Sequence, residues 1–237
     1  SRLERICRHE ETIKQVHKLG KDFTGRDWLA EEVQKELGHT GEIQEGQKEE
    51  TEAAETKSTL LSTTHPFVVV YGESGVGKSA FYSHILDARF CKEQGKSWLD
   101  LHHRMLAHHI CRVQDKESLD PLEWARSLAG QIFLAFYNVG KMKEALEICG
   151  HKNIDEFAEW IEKESSVRKL LKYSVLKMLN SVNDPAELGG RDAISIDSLD
   201  EALTTTVLAG TSKESIVSYL LEFRKEWPTW IRFLATS

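Results

Sequence analysis

The segment from Gly72 to Ser79 reads GESGVGKS and matches the pattern G-x-x-x-x-G-K-[ST] at every fixed position. Glycines at such positions let the backbone wrap closely around phosphate oxygens, with successive N–H groups directed inward. Lys78 is expected to reach the β- and γ-phosphates, and the Ser79 hydroxyl to bind Mg²⁺. The alternative is a glycine-rich turn without a ligand. The predicted nucleotide-binding residues of this loop are Gly72, Glu73, Ser74, Gly75, Val76, Gly77, Lys78, Ser79 and Ala80.

An acidic segment, SIDSLDEAL at residues 195–203, supplies the carboxylates that such a loop needs. Asp197 closes a predicted strand and is the Mg²⁺ candidate together with Ser79, because a P-loop site takes a carboxylate from the tip of a neighbouring strand. Asp200 and Glu201 are the candidate catalytic residues, placed to orient or deprotonate the attacking water. The alternative is that Asp197 or Asp200 only caps a helix that begins nearby.

The nucleotide itself is predicted from an absence in the sequence. The chain contains no Asn-Lys-x-Asp segment, which is the usual guanine-reading sequence. ATP is therefore favoured over GTP, and the predicted cofactors are ATP or ADP with Mg²⁺.

The elements that must position these residues alternate between strands and helices. The apolar run FVVVY, after Pro66, predicts a strand buried on both faces, and a helical pattern covers 79–90. Further strands are predicted at 104–113, 193–197 and 230–235, and helices over 121–182. Thr211-Ser212-Lys213-Glu214 has the spacing of a capping box and predicts the start of a helix that continues to Phe223. This alternation predicts an α/β fold of the P-loop NTPase type, three-layered α/β/α with a mainly parallel sheet.

Three segments follow from these patterns. Residues 1–37 are predicted to form two helices around a turn, and the polar, Glu- and Thr-rich stretch 38–65 an acidic flexible linker. Residues 66–237 form the predicted P-loop core. Because the chain begins with Ser1 rather than Met, we expect it to be a piece of a longer protein.

Composition limits the classes of partner and compartment. The net charge is −7, from 38 acidic and 31 basic residues, which disfavours a general binder of nucleic acid. No apolar run approaches the roughly 18 residues of a membrane span, and no signal peptide opens the chain. The four widely spaced cysteines are those expected of reduced thiols, so a cytoplasmic location is predicted.

Together these residues resemble the NACHT-like branch of the STAND P-loop ATPases, which are signalling switches. Phe23-Thr24-Gly25-Arg26-Asp27-Trp28 looks like the F-x-G-R-x-W element of this group, and ISIDSLDEA is similar to its acidic motif hhhD-x-L-D-E-A. The resemblance implies that Phe23, Thr24, Gly25 and Arg26 lie near the adenine and ribose. The alternative is that Phe23 and Trp28 are core anchors and Gly25 a turn residue. TWIRFLATS looks like the group's sensor strand, after which the family has a sensor Arg, so the core is expected to be truncated there.

Three functional hypotheses follow. The first is an ATP–Mg²⁺ binding regulatory switch with slow or incomplete hydrolysis. Similar modules in scaffold proteins often precede ankyrin or tetratricopeptide repeats, so the resemblance implies protein partners bound through such regions. The second is a turnover ATPase of the motor type, and the third is an interaction scaffold that does not need its nucleotide.

Overall fold

The computed structural model describes residues 26–38, 67–73, 75–87, 89, 91–92, 95–208 and 214–237, together with Ile6; for residues 204–208 it describes the backbone alone. Within these ranges the strands form one parallel sheet of four, in the order β1-β4-β3-β2. The strands are β1 (Phe67–Val70), β2 (Met105–Ile110), β3 (Ala193–Asp197) and β4 (Arg232–Thr236). All four had been predicted from the sequence, with boundaries that differ by a few residues.

The helices lie on the two faces of this sheet. On one face are α1 (Asp27–Gly38), α2 (Lys78–Leu86) and α3 (Lys96–Arg104). The others are α4 (Pro121–Asn138), α5 (Met142–Cys149), α6 (Ile154–Lys163), α7 (Val167–Leu170), α8 (Leu176–Asn180), α9 (Leu199–Leu208) and α10 (Ile216–Glu222). A π-helical segment, Leu171–Val175, joins α7 to α8. Among the described helices, none combines the length and the apolar character that a membrane crossing needs.

Side chains of β4 show how the sheet separates two cores. Phe233 belongs to the larger apolar cluster with α4, whereas its neighbour Leu234 packs with α1, α2 and α3. This alternation is the period of two that a strand imposes on its side chains. In the larger cluster, Phe133 of α4 stacks on Phe157 of α6 with ring centroids 4.6 Å apart. The predicted three-layer α/β/α fold is therefore confirmed.

The burial of β1 differs from the prediction. Phe67 and Val69 are 41% and 44% exposed, so the strand is not buried on both faces. In the described sheet β1 lies at one end and pairs with β4 alone. An apolar run indicates a strand, but it does not indicate how many elements will cover that strand.

The start of α10 also differs from the prediction. Glu214 lies before the helix, and Ser215 is the N-cap, with its side chain accepting a hydrogen bond from the Ser218 amide. Ser218 completes the box, since its hydroxyl accepts from the Ser215 amide. A capping box beginning at Thr211 is therefore wrong for this helix, because the observed box begins one turn later and joins the side chains and amides of Ser215 and Ser218.

The N-terminal helix α1 is the second of the two helices predicted for residues 1–37. Its Leu37 carbonyl accepts hydrogen bonds from Arg104 Nη2 and Arg232 Nε, at 3.0 and 3.2 Å. Arg104 in turn makes a bidentate pair with Asp192, at 2.9 and 2.6 Å. These contacts attach the C-terminal end of α1 to the sheet. Apart from Ile6 and Gly38, the other predicted N-terminal helix and the predicted linker lie outside the described residues.

Candidate functional site

The phosphate loop lies between strand β1 and helix α2. Gly75 and Gly77 have φ angles of +84° and +94°, a region that residues with a Cβ rarely adopt. A Cβ on Gly72 would come within 3.2 Å of Val76 Cγ2, so a side chain there would push against the loop. Ser74 lies outside the described residues. The glycine spacing of the sequence is therefore matched to a tight loop, which is the form a phosphate cradle requires.

Lys78, Ser79 and Ala80 form the first turn of α2. The Lys78 ammonium donates to the carbonyl oxygens of Gly72 and Glu73, at 2.6 and 2.9 Å. The Phe81 amide bonds to the Gly77 carbonyl at 2.9 Å, so the helix begins directly after the loop. The N-terminal end of a helix carries free N–H groups and a partial positive charge, which suits a bound phosphate.

Asp197, the last residue of β3, is brought next to Ser79 by the sheet. The two side chains are joined by a hydrogen bond from Ser79 Oγ to Asp197 Oδ1 of 3.4 Å. Asp197 Oδ1 also accepts a hydrogen bond from Thr236 at the end of β4. One bond comes from the first turn of α2 and the other from the neighbouring strand β4, so the carboxylate is directed toward the loop rather than toward the amides of α9. The contacts of Asp197 therefore do not support the alternative that its side chain caps α9.

Burial dominates the electrostatics of Asp197. The residue is only 3% exposed, and its desolvation raises the pKa of the carboxyl above its usual value. The bonds from Thr236 and Ser79 and the charge of Arg112 lower this pKa, and Glu201 raises it. Cys111, whose amide donates to the Asp197 carbonyl at 3.0 Å, has a thiol pKa raised to about 12, mainly by burial. The Cys111 thiol is therefore neutral at physiological pH and unsuited to nucleophilic chemistry.

The other two acids of the motif lie in the first turn of α9. Between β3 and α9, Ser198 has a φ of +55°, and its carbonyl accepts from the Glu201 amide at 3.0 Å. The Glu201 carboxylate accepts a hydrogen bond from the Val113 amide at 2.5 Å. Asp200 lies beside it in the same turn. In this structure Glu201 is thus bonded to the segment that follows β2.

A cavity of about 290 Å³ opens where these elements meet. It is lined by Ser79, Ile110, Cys111, Arg112, Val113, Gln114, Asp197, Ser198 and Glu201. Three of the predicted site residues, Ser79, Asp197 and Glu201, therefore lie on one cavity. The sequence reading missed Arg112 and Thr236. Their position, at or just beyond the carboxyl ends of β2 and β4, was the available signal, because the carboxyl ends of parallel strands meet at one edge of the sheet.

The predicted adenine and ribose residues are only partly described. Phe23, Thr24 and Gly25 lie outside the described residues. Arg26 directly precedes α1, and its carbonyl accepts from the Leu29 amide at 3.0 Å. Trp28 is 64% exposed, so the alternative reading of this side chain as a core anchor is wrong.

The residues of the loop fit Mg²⁺ and a nucleotide phosphate chain. A hydroxyl and a carboxylate, from Ser79 and Asp197, are oxygen ligands of the kind Mg²⁺ prefers, and they converge on one point. The Lys78 ammonium is bonded to two backbone carbonyl oxygens. These are neutral acceptors, which a charged phosphate oxygen could displace. Glu201, bonded to Val113, lines the same cavity as Ser79 and Asp197.

Comparison of the sequence with protein-family models gives a match to the family described as Nephrocystin 3, N-terminal, over residues 48–237. The matched range contains the phosphate loop, all four described strands and the acidic segment. Comparisons with curated proteins and with solved structures gave no match.

Proposed function

The chain belongs to the nephrocystin 3 N-terminal family, and from that membership and the site described above we propose that it is an ATP–Mg²⁺ binding regulatory switch, a NACHT-like STAND module. The single observation that carries this proposal is the hydrogen bond between Ser79 and Asp197, which joins the phosphate loop to the acidic strand. Ser79 and Asp197 would hold the metal, Lys78 would bind the β- and γ-phosphates, and the loop amides would bind phosphate oxygens. The metal, when bound, supplies charge neutralisation to the phosphates.

Slow turnover is supported by the contacts of the candidate base. A carboxylate that accepts a 2.5 Å hydrogen bond from the Val113 amide is held away from an attacking water. Hydrolysis would require Glu201 to exchange this bond for one to the water. We therefore propose that bound ATP persists and that its presence, rather than repeated turnover, is what a protein partner reads.

The Arg26 segment would close over the adenine and ribose in this switch, together with Phe23, Thr24 and Gly25. Helix α1, which follows this segment, is attached to the sheet through Arg104 and Arg232. The segment before α1 would thus be connected to the core through a helix that is itself hydrogen-bonded to the core. Limited proteolysis with and without Mg·ATP tests this part, with slower cleavage around residues 20–26 expected when nucleotide is bound.

The primary experiment identifies the nucleotide that the purified protein carries. The protein is denatured, the released nucleotide is identified by chromatography, and the same is done for Lys78→Ala. We expect ATP or ADP at close to one per chain in the wild type and about one tenth or less in the variant, because a lysine–phosphate bond is a strong charge-assisted one. Lys152→Ala removes an exposed lysine from the α5–α6 connection and serves as the charge-matched control.

A thermal shift complements this measurement. A ligand at about 100 times its Kd adds about 2.7 kcal/mol to the free energy of unfolding. For a domain of this size that corresponds to a rise in Tm of about 5–10 °C with Mg·ATP. GTP should give a smaller shift. A folded wild-type protein that carries no nucleotide and shows no shift with Mg·ATP would contradict the switch and favour a scaffold that does not use nucleotide.

The presence of Glu201 on the same cavity as Ser79 favours a second candidate, a turnover ATPase. This candidate predicts steady release of inorganic phosphate that Glu201→Gln abolishes while ATP binding is retained. The switch predicts less than about one turnover per minute in both proteins, well below the usual enzyme range. Sustained release at about 1 s⁻¹ or faster in the wild type alone would replace the switch with the enzyme.

A further inference from the structure

Arg112 is a cation on the cavity that the nucleotide-binding motifs do not account for. It lies two residues beyond the end of β2 and lines the cavity together with Ser79 and Asp197. Among the described residues that line this cavity it is the single lysine or arginine, and it shares the cavity with the carboxylates of Asp197 and Glu201. The cavity therefore has a positive side chain on the β2 side of Asp197, opposite the phosphate loop.

The backbone of Arg112 is held firmly in place. Its amide N–H donates to Ser118 Oγ at 2.8 Å. Its carbonyl accepts from the Asp115 amide and from Ser118 Oγ, at 3.0 and 3.2 Å. A backbone fixed at both polar groups gives the side chain a defined origin at the rim of the cavity.

The guanidinium of Arg112, in contrast, has neither a hydrogen-bond acceptor nor an ion-pair partner in the described part of the chain. Other arginines of the fold are paired there: Arg104 with Asp192, Arg126 with Glu123 and Arg168 with Glu222. A guanidinium presents a planar fork of donors that matches phosphate oxygens. An arginine without an acceptor, on the cavity that Ser79 also lines, is thus available for a phosphate.

We propose that Arg112 binds the terminal phosphate of Mg·ATP and so makes the site distinguish ATP from ADP; this inference rests on the proposed nucleotide switch. In the sheet order β1-β4-β3-β2, the phosphate loop follows β1 and Arg112 follows β2, so Asp197 of β3 lies between them. A phosphate chain that runs from the loop toward the Asp197 side presents its last phosphate to Arg112. A cation supplied in this way by the same chain neutralises the charge on the terminal phosphate.

The neighbour of Arg112 holds the candidate base, because the Val113 amide donates to the Glu201 carboxylate at 2.5 Å. The segment that follows β2 thus carries both the proposed phosphate contact and the donor that holds Glu201.

The test is a calorimetric titration with a non-hydrolysable ATP analogue and with ADP, both with Mg²⁺. We expect Arg112→Ala to weaken the analogue about 10- to 100-fold, the loss of a hydrogen bond to a charged group, and to change ADP binding less than about 3-fold. Arg112→Lys should restore part of the analogue affinity, because it retains the charge but not the fork. Arg224→Ala, an exposed arginine away from the cavity, should change neither.

Folding and the parent proposal are checked separately. Because the Arg112 guanidinium is unpaired in the described structure, Arg112→Ala should keep the Tm of the nucleotide-free protein within about 2 °C. Lys78→Ala should weaken both nucleotides. If Lys78→Ala does so while Arg112→Ala weakens both equally or neither, the inference about Arg112 is wrong and the switch stands. If the folded wild type binds neither nucleotide, both fail.

Discussion

Substitution of Thr236 tests how the Asp197 carboxylate, at the end of β3, is held in place. The Thr236 hydroxyl, fully buried at the end of β4, donates to Asp197 Oδ1 and accepts from the Ser198 amide at 2.9 Å. Thr236→Val keeps the shape of the side chain and removes both hydrogen bonds. The carboxylate loses a donor, and the Ser198 amide, in a residue whose φ is already +55°, loses its acceptor.

The expected magnitude follows from these two bonds. A hydrogen bond to a charged group contributes about 1.5–3 kcal/mol, and an ordinary one about 1 kcal/mol. Thr236→Val should therefore lower the free energy of unfolding by about 2–4 kcal/mol. Thr236→Ser, which retains the hydroxyl and loses one buried methyl, should lower it by only about 1 kcal/mol. Urea unfolding followed by circular dichroism measures both.

The pH dependence has a definite sign. Burial raises the pKa of Asp197 in the folded state, and the Thr236 bond lowers it. For an acid whose folded pKa is raised, ionisation costs stability as the pH rises through that pKa. Removal of the donor raises this pKa further, so the ionised form is penalised more in Thr236→Val. The difference in unfolding free energy between wild type and Thr236→Val should thus be larger at pH 7.5 than at pH 4.5.

Three results would refute this reasoning. A loss below about 0.5 kcal/mol for Thr236→Val would mean that the bonds to Asp197 and Ser198 contribute little. A loss that is equal at the two pH values would mean that the hydroxyl does not distinguish the ionised from the neutral carboxyl. Equal losses for the valine and serine variants would assign the effect to packing alone.

Three further substitutions test the loop, the attachment of α1 and the core. Gly77→Ala places a Cβ at a φ of +94°. It should lower the free energy of unfolding by about 1–2 kcal/mol and abolish the Mg·ATP thermal shift. An unchanged shift would contradict the loop geometry. Asp192→Asn removes the charge paired with Arg104 and should lower the free energy of unfolding, measured in urea, by about 2–3 kcal/mol. An unchanged free energy of unfolding would mean that the pair adds no stability. Phe133→Ala should cost about 3–5 kcal/mol, against less than about 0.5 kcal/mol for the half-exposed Tyr137→Ala; similar losses would place Phe133 outside the core.

Much of the architecture was encoded locally and could be predicted. The β-branched and apolar runs predicted the four strands, and the order of strand, glycine-rich loop and helix predicted the phosphate loop. Of the acids of SIDSLDEAL, Asp197 lies at the end of β3, and Asp200 and Glu201 lie in the first turn of α9, as the pattern indicated. These features depend on side chains a few residues apart, through strand and helix periodicity and through the torsional freedom of glycine.

Other features required knowledge of neighbours that are distant in sequence. The capping box at Thr211 fitted the local pattern, yet Ser215 and Ser218 start α10 in the structure. The apolar run of β1 was interpreted as a strand buried on both faces, yet Phe67 and Val69 are exposed and β1 lies at one end of the described sheet. In both cases several arrangements satisfy the local rules, and the choice among them is made by packing.

The sequence by itself determined which residues can bind phosphate and metal, since glycine, lysine, serine and aspartate types at fixed spacing are legible along the chain. Only the tertiary structure decided that β4 lies between β1 and β3, which places Thr236 on Asp197 and joins Asp197 to Ser79. It also decided that Arg112 faces the same cavity. The physical reason is that strand order depends on which faces of the whole chain are buried together, and that information is distributed over the helices packed on both sides of the sheet.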